Sequence, residues 1–451
     1  MHRRKSGRRL FPEGPGRGKG LSPMARGAIG TGVFLLLLPL LILGCAQGEK
    51  QDTGASERVR LVFKHGRIAG DPRLFHQLLR DFEQQNPGIT VVDETLPSST
   101  DEQHQFYIIN LEGSSADFDV LSMDVIWIPE FARAGWLRDI SHLMPLQERG
   151  KFFPGPMQAV TYRDRVYAIP WYTDAGVLFY RKDILKKHGF SPPKTWQELV
   201  ATARAVIDKE PGLYGFIWQG KQYEGLICNV LEYFWSNGGE VLKNELPVIN
   251  SPENIEALRF MRDLLVTYSI TPPLVTTAIE EPTRHIFGNG RALFMRNWPY
   301  AWNIFEQEGS PVRGRVGVAP LPSFPGKTSA STLGGWQLGV NRYSRNPEAA
   351  EKLILFLTSP TVQKTLARTI GYKPTRTSLY RDQDLVREQP FITGLHDIFM
   401  QARPRPVSPY YMMITQVMQP EFSAALAGIK TPEEALNAAQ KQIEHILGVE
   451  R

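Results

Sequence analysis

Apolar positions along this chain switch between two spacings, and each switch marks a change of element. Val59 to Phe63 is a short apolar run with strand character. Leu74, Phe75, Leu78, Leu79 and Phe82 then recur three and four apart, the stripe of a helix that buries one face, until Asn86-Pro87-Gly88 stops it. Ile89 to Asp93 reads as a second strand, Asp101 to Glu112 as a helix, and Val120 to Asp124 as an apolar strand that ends in a carboxylate. This alternation predicts an α/β fold with largely parallel sheets, whose ligands gather at the carboxyl ends of strands.

Farther along, helix starts are written in capping chemistry. Thr195-Trp196-Gln197-Glu198 fits a capping box, and Thr431-Pro432 with Glu434 fits a second. Ser251-Pro252 and Asn346-Pro347 each set a capping side chain before a proline at the first helical position. Between these helices run irregular stretches rich in aromatics and prolines: Ile169 to Tyr180, Asn297 to Trp302, Leu333 to Leu338 and Pro404 to Tyr411. No internal repeat is evident.

Charge changes the picture only at the amino end. Eight Lys and Arg precede an apolar run from about Ala28 to Leu43, which closes on Gly44-Cys45. A basic segment followed by an apolar one is the pattern of a secretory signal, expected over residues 1–44. The small residue before Cys45 resembles the lipobox of bacterial lipoproteins, so Cys45 is expected to carry a lipid anchor and residues 45–57, small and polar, to form a flexible tether. Setting aside that segment's 8 of 52 Lys+Arg and 1 of 46 Asp+Glu leaves 44 basic against 45 acidic residues. The bulk charge therefore gives no reason to expect a nucleic-acid partner. Apart from Cys45 only Cys228 remains, which excludes an internal disulfide and a cysteine-based metal site.

Seven blocks carry a resemblance: LSMDVIWIPEFARAGWL, YAIPWYTDAGVLFYRKDIL, FIWQGKQYEGLICN, FMRNWPYAWNIF, VGVAPLPSFPG, LGGWQLGVNRYS and PRPVSPYY. In this order they resemble the trehalose/maltose-binding proteins, within the extracellular solute-binding proteins of ABC sugar importers. The resemblance implies a two-lobed, periplasmic-binding-protein-like clamshell of α/β lobes joined by hinge crossovers. It puts lobe one at 58–166 and 338–371, and lobe two at 167–337 and 372–451.

Site residues follow from the same resemblance. A sugar presents a rim of hydroxyls and faces of C–H groups, so its site needs polar partners around apolar plates. Asp124 and Asp174 match acids that accept hydroxyl hydrogen bonds, although Asp124 as a helix cap and Asp174 as a turn former are alternatives. Tyr172, Trp298, Tyr300 and Trp336 match stacking and hydrogen-bonding rings, and Gly335 lets backbone approach the ligand. Arg405 matches a donor to the sugar, with Arg403 its rival; Ser98 and Asp71 match lobe-one contacts, Asp71 in the poorest-matching stretch. Trp136, Trp196, Trp218 and Trp235 are expected in the core, while Trp171 and Trp302 stay open.

The expected function is delivery of a trehalose- or maltose-type disaccharide, outside the cytoplasm, to a permease driven by a separate ATPase. The chain is expected to be a monomer that needs no cofactor or metal and catalyses nothing. No Gly-x-x-x-x-Gly-Lys-[Ser/Thr] loop, His-x-x-x-His pair or Gly-x-Ser-x-Gly elbow occurs. A glycoside hydrolase is the main alternative, since paired acids and tryptophans also build such sites. A sugar-binding sensory or adhesive lipoprotein is another.

Overall fold

The computed structural model describes residues 58–69, 71–97 and 99–449. The expected signal segment, Cys45 with its expected lipid, the expected tether and Ser98 lie outside the described residues.

Two sheets organise the chain. The first contains β1 (Val59–His65), β2 (Ile89–Thr95), β3 (Val120–Asp124) and β4 (Ala168–Ala175). The second is built from β5 (Val177–Arg181), β6 (Tyr214–Ile217), β7 (Ala292–Asn297) and β8 (Val316–Ala319). The chain then returns to the first sheet with β9 (Leu333–Val340) and β10 (Lys373–Pro374). The strand orders are β10-β4-β9-β3-β1-β2 and β8-β5-β7-β6. β1 runs parallel to β2 and β3, as expected, but β9 runs against both β3 and β4. A returning strand enters the sheet from the opposite end, so both sheets are mixed. The stretch 168–175, expected in lobe two, hydrogen-bonds into the first sheet.

Helices cover each sheet. α1 (Pro72–Gln85) buries Phe75, Leu78, Leu79 and Phe82 of the stripe read from spacing, leaves Leu74 exposed, and ends at Asn86. α2 (Thr100–Glu112) follows β2. α3 (Trp196–Ile207) opens on the expected capping box at Thr195, with the Thr195 side chain and Glu198 reciprocally bonded. α4 (Glu224–Ser236) is buried along its whole length. Near the end, α5 (Tyr411–Leu426) packs on α4, and α6 (Pro432–Leu447) starts at the Thr431–Glu434 capping box. Asn346 departs from expectation: proline opens the next helix, but the Asn346 side chain makes no capping bond.

Three segments pass between the two sheets and lie side by side. The Ser331 hydroxyl donates to the Gly176 carbonyl at 2.8 Å, and the Gly176 N–H to the Thr332 carbonyl at 3.4 Å. The Arg403 N–H donates to the Ser331 carbonyl at 2.9 Å, and the Leu333 N–H to the Arg403 carbonyl at 2.8 Å. Adjacent crossovers of this kind are where hinge motion in two-lobed folds is absorbed.

Candidate functional site

The first sheet gathers the sequence-predicted residues at one edge because its strands are in a particular register. Trp336 on β9 pairs with Asp124 at the end of β3 and with Tyr172 on β4. Directly paired residues share a face, with Cβ atoms about 5 Å apart, so these three side chains form a row. One step on, Gly335 pairs with Thr173 and Gly334 with Asp174. The row lies at the carboxyl ends of the parallel strands β1 and β3, where α/β ligands collect.

Each ring in the row has a rigid support. Trp336 stands edge-on to the buried Trp127, with centroids 5.7 Å apart and planes at 87°. Tyr172 stacks on Tyr372 at 3.9 Å, and the Tyr372 hydroxyl accepts the Ala69 N–H from the loop after β1. Burial pushes the Tyr372 hydroxyl up to about 12, so it stays protonated. Trp298, just past β7, brings a third ring from the second sheet, and a Cβ on Gly334 would stand 3.0 Å from its Cζ3 and 3.3 Å from the Asp174 Cβ. Its Nε1 donates to Glu280 at 3.2 Å. Tyr300 donates its hydroxyl to Glu281 at 2.9 Å.

Acids and one arginine form the polar side. Arg405 donates to Asp124 Oδ1 at 2.6 Å and to Glu224 Oε1 at 2.8 Å, which joins β3 to α4. Arg405 is 3% exposed, and its Nε has no partner among the described residues. Glu224 is held further by the hydroxyls of Tyr411, at 2.7 Å, and Thr415. Asp124 also accepts the Ile126 N–H at 3.3 Å, in the turn before the helix Ile128–Ala134; that helix has Trp127 at its N-cap and no side-chain capping bond, so Asp124 does not cap it. Arg403 pairs with Glu240 at 2.6 Å and lies over Trp235.

Asp174 makes no side-chain hydrogen bond among the described residues. Burial pushes its carboxyl up to about 7, against the pull of Lys373 and Arg296. Burial likewise brings Lys373 down to about 7.

Asp71 makes its side-chain bonds within its own turn. It caps α1, accepting the Arg73 N–H at 3.0 Å and pairing with the Arg73 guanidinium at 2.6 Å. Gly335 has φ +107, and an added Cβ would run into the Tyr172 carbonyl, so strand pairing itself requires a glycine there.

Among the tryptophans, Trp196, Trp218 and Trp235 are buried as expected, and so is Trp171, left open by the sequence. Trp136 is only partly buried, packed against the core rather than inside it. Trp302 is half-buried against Phe391, at 4.6 Å. Sequence reasoning missed Glu224, Glu280, Tyr372 and Asp101. Burial raises the Asp101 carboxyl while a Gln419 hydrogen bond opposes the rise, and the nearby Asp124 charge adds to it. Glu224 had a readable signal, as a carboxylate at the head of the apolar run EGLICNVLEYFW. Buried acids of this sort require a cationic partner.

Comparison with known proteins agrees with this geometry. A profile of bacterial extracellular solute-binding proteins matches residues 68–364. A probable ABC transporter-binding protein of Deinococcus radiodurans is 39% identical over 364 residues, 79% of this chain and 86% of that protein. A maltotriose-binding protein of Pyrococcus abyssi is 28% identical over 357 residues, 78% of this chain and 74% of that one. The maltose-bound structure of T. maritima MalE3 is 43% identical, covers 86% of this chain and 99% of that one, and superimposes with a TM-score of 0.83. The chain belongs to the bacterial extracellular solute-binding proteins, the extracytoplasmic binding components of ABC transporters.

Proposed function

We propose that the chain binds a small gluco-oligosaccharide of the maltose or trehalose class between its two lobes and passes it, unaltered, to an ABC permease. One observation carries this reading: Asp124, Trp336 and Tyr172 share a cross-strand row, with Asp174 and Trp298 meeting at Gly334 beside it. That array sets hydroxyl acceptors beside flat apolar plates, the two surfaces a sugar needs. The Nε of Arg405, without a partner among the described residues, supplies a donor. Maltose in MalE3 and maltotriose in the name of the Pyrococcus relative support the same ligand class.

The crossovers near 175–177, 331–333 and 402–405 serve as the hinge in this reading. Sugar contacts made by both lobes favour the closed form, since a ligand shifts an equilibrium only by its differential affinity. Cys45 anchors the protein to a membrane by lipid, and residues 45–57 tether it. Isothermal calorimetry against maltose, maltotriose and trehalose, with small-angle scattering on the same samples, tests the proposal. Binding of one of them accompanied by a smaller radius of gyration is expected; no heat from any of the three would defeat it.

The raised Asp174 carboxyl also suits the proton donor of a glycoside hydrolase. Against that role, the second acid of the row, Asp124, is ion-paired to Arg405 and bonded to the Ile126 N–H. Free glucose released from maltotriose by stoichiometric protein would reverse the assignment.

A further inference from the structure

α4 carries two buried carboxylates eight residues apart, about 12 Å along the helix axis. Glu224 serves Arg405. Glu232 serves Arg296, through a fork of two bonds: Nε to Oε2 at 2.9 Å and Nη2 to Oε1 at 2.6 Å. Both side chains are 1% exposed. Burial raises the Glu232 carboxyl while the Arg296 charge opposes the rise, and Gln219 accepts from the remaining arm of the guanidinium at 3.3 Å.

What surrounds the pair is more informative than the pair itself. On one side Glu232 Oε1 accepts the Thr332 N–H, at 3.2 Å, in the second crossover. Gly176, in the first crossover, fits so tightly that a Cβ would strike Glu232 Oε1 and stand 2.7 Å from Arg296 Nη2. On the other side the guanidinium carbon lies 4.0 Å from the centroid of the Trp298 ring. The plane of that ring is therefore set by Arg296. Its rotation is set by Glu280, which also receives the Tyr223 hydroxyl at 2.8 Å.

Buried ion pairs add little net stability, and apolar residues of similar volume often replace them without loss. Their use here is geometric. We propose that the Glu232–Arg296 pair is a positioning element that fixes the Trp298 plate to the interlobe crossovers, so that plate orientation and crossover conformation are set together. The proposal rests on the sugar reading for its consequence in affinity, but the ordering of Trp298 can be read without sugar.

The test uses the double variant Glu232→Gln/Arg296→Met, which removes both charges at once, in wild-type and Trp298→Ala backgrounds. Without ligand, the near-ultraviolet circular dichroism of Trp298, taken as wild type minus Trp298→Ala, is expected to collapse in the double variant while the thermal midpoint holds within a few degrees. Affinity for maltose, maltotriose or trehalose is expected to fall about tenfold in the wild-type background and not to change further when Trp298 is already alanine. A residue pair with a merely structural role would weaken both backgrounds equally. Arg296→Lys keeps the charge but loses the fork and the flat face, and serves if the double variant does not fold. An unchanged indole band, or an additive loss of affinity, overturns the proposal. Wild-type protein that binds none of the three sugars overturns the sugar reading, and the band still decides the positioning of Trp298.

Discussion

Arg405 Nη2 lies 2.6 Å from Asp124 Oδ1, across a chain separation of 281 residues, and the same guanidinium reaches Glu224. One cation thus neutralises two buried carboxylates that come from different parts of the fold. Burial raises the Glu224 carboxyl even with Arg405 beside it, which indicates how poorly that position tolerates an unpaired charge. Arg405→Met leaves both acids without a counter-charge. Urea unfolding is expected to show a loss of about 3–5 kcal/mol, the usual cost of removing one partner from a buried pair. An unfolding free energy within 1 kcal/mol of wild type would mean that the two acids find other partners.

Sugar affinity should depend on pH through Asp174. Its folded pKa, about 7, lies above the ordinary aspartate value of 3.8 because burial disfavours the charge. For folding, the sign is that of a raised acid: its stabilising contribution is present below the unfolded pKa and lost as pH rises through 7. For binding the sign reverses, since sugar hydroxyls donate to the ionised carboxylate. Binding below pH 7 must therefore displace a proton, and affinity is expected to fall by up to about tenfold per pH unit there and to level off above pH 8. Lys373, lowered by burial to about 7 while the Asp174 charge pulls it upward, titrates in the same range, and the attraction between the two charges spreads the change over a wider pH interval. Asp174→Asn is expected to bind weakly with a flat profile in calorimetry. A sloping profile in that variant would assign the titration to another group.

Trp298→Ala and Trp336→Ala remove plates held by different supports, Arg296 with Glu280 in one case and Trp127 in the other. Each is expected to weaken sugar binding at least tenfold, about 1.4 kcal/mol, with the fold intact by far-ultraviolet circular dichroism. Wild-type affinity in either variant would take that ring out of the site.

Local order was legible wherever a few neighbouring residues decide it. The Thr195 and Thr431 capping boxes form as read, and so do the α1 stripe from Phe75 to Phe82 and the β3 boundaries at Val120 and Asp124. What the sequence hid depends on pairings between distant segments. The Trp336–Asp124 register, the Glu224–Arg405 bond across 181 residues and the Tyr172–Tyr372 stack have no local signature. β4, β5 and β9 were hidden as well: Ile169 to Tyr180 and Leu333 to Leu338 read as irregular but form strands, because pairing with distant segments orders them, and a strand's own residues do not say from which end it enters a sheet.

Two adjacent glycines on β9 separate a backbone requirement from a plate requirement. Gly335 sits at φ +107, where an L residue is strained, and an added Cβ would meet the Tyr172 carbonyl and stand 2.7 Å from the Thr173 Cα. Both obstacles are backbone atoms of the neighbouring strand, which cannot yield without breaking the β4–β9 ladder. Gly335→Ala is therefore expected to destabilise the fold by at least about 1–3 kcal/mol in urea unfolding. At Gly334 no positive φ applies, and an added Cβ meets the Trp298 ring edge at 3.0 Å and the Asp174 Cβ at 3.3 Å. The methyl group can be accommodated by tilting the ring away, so Gly334→Ala should unfold within about 1 kcal/mol of wild type yet bind sugar several-fold more weakly. Equal effects of the two substitutions on stability would show that Trp298 is too firmly held to move, and that Gly334 too is a requirement of packing.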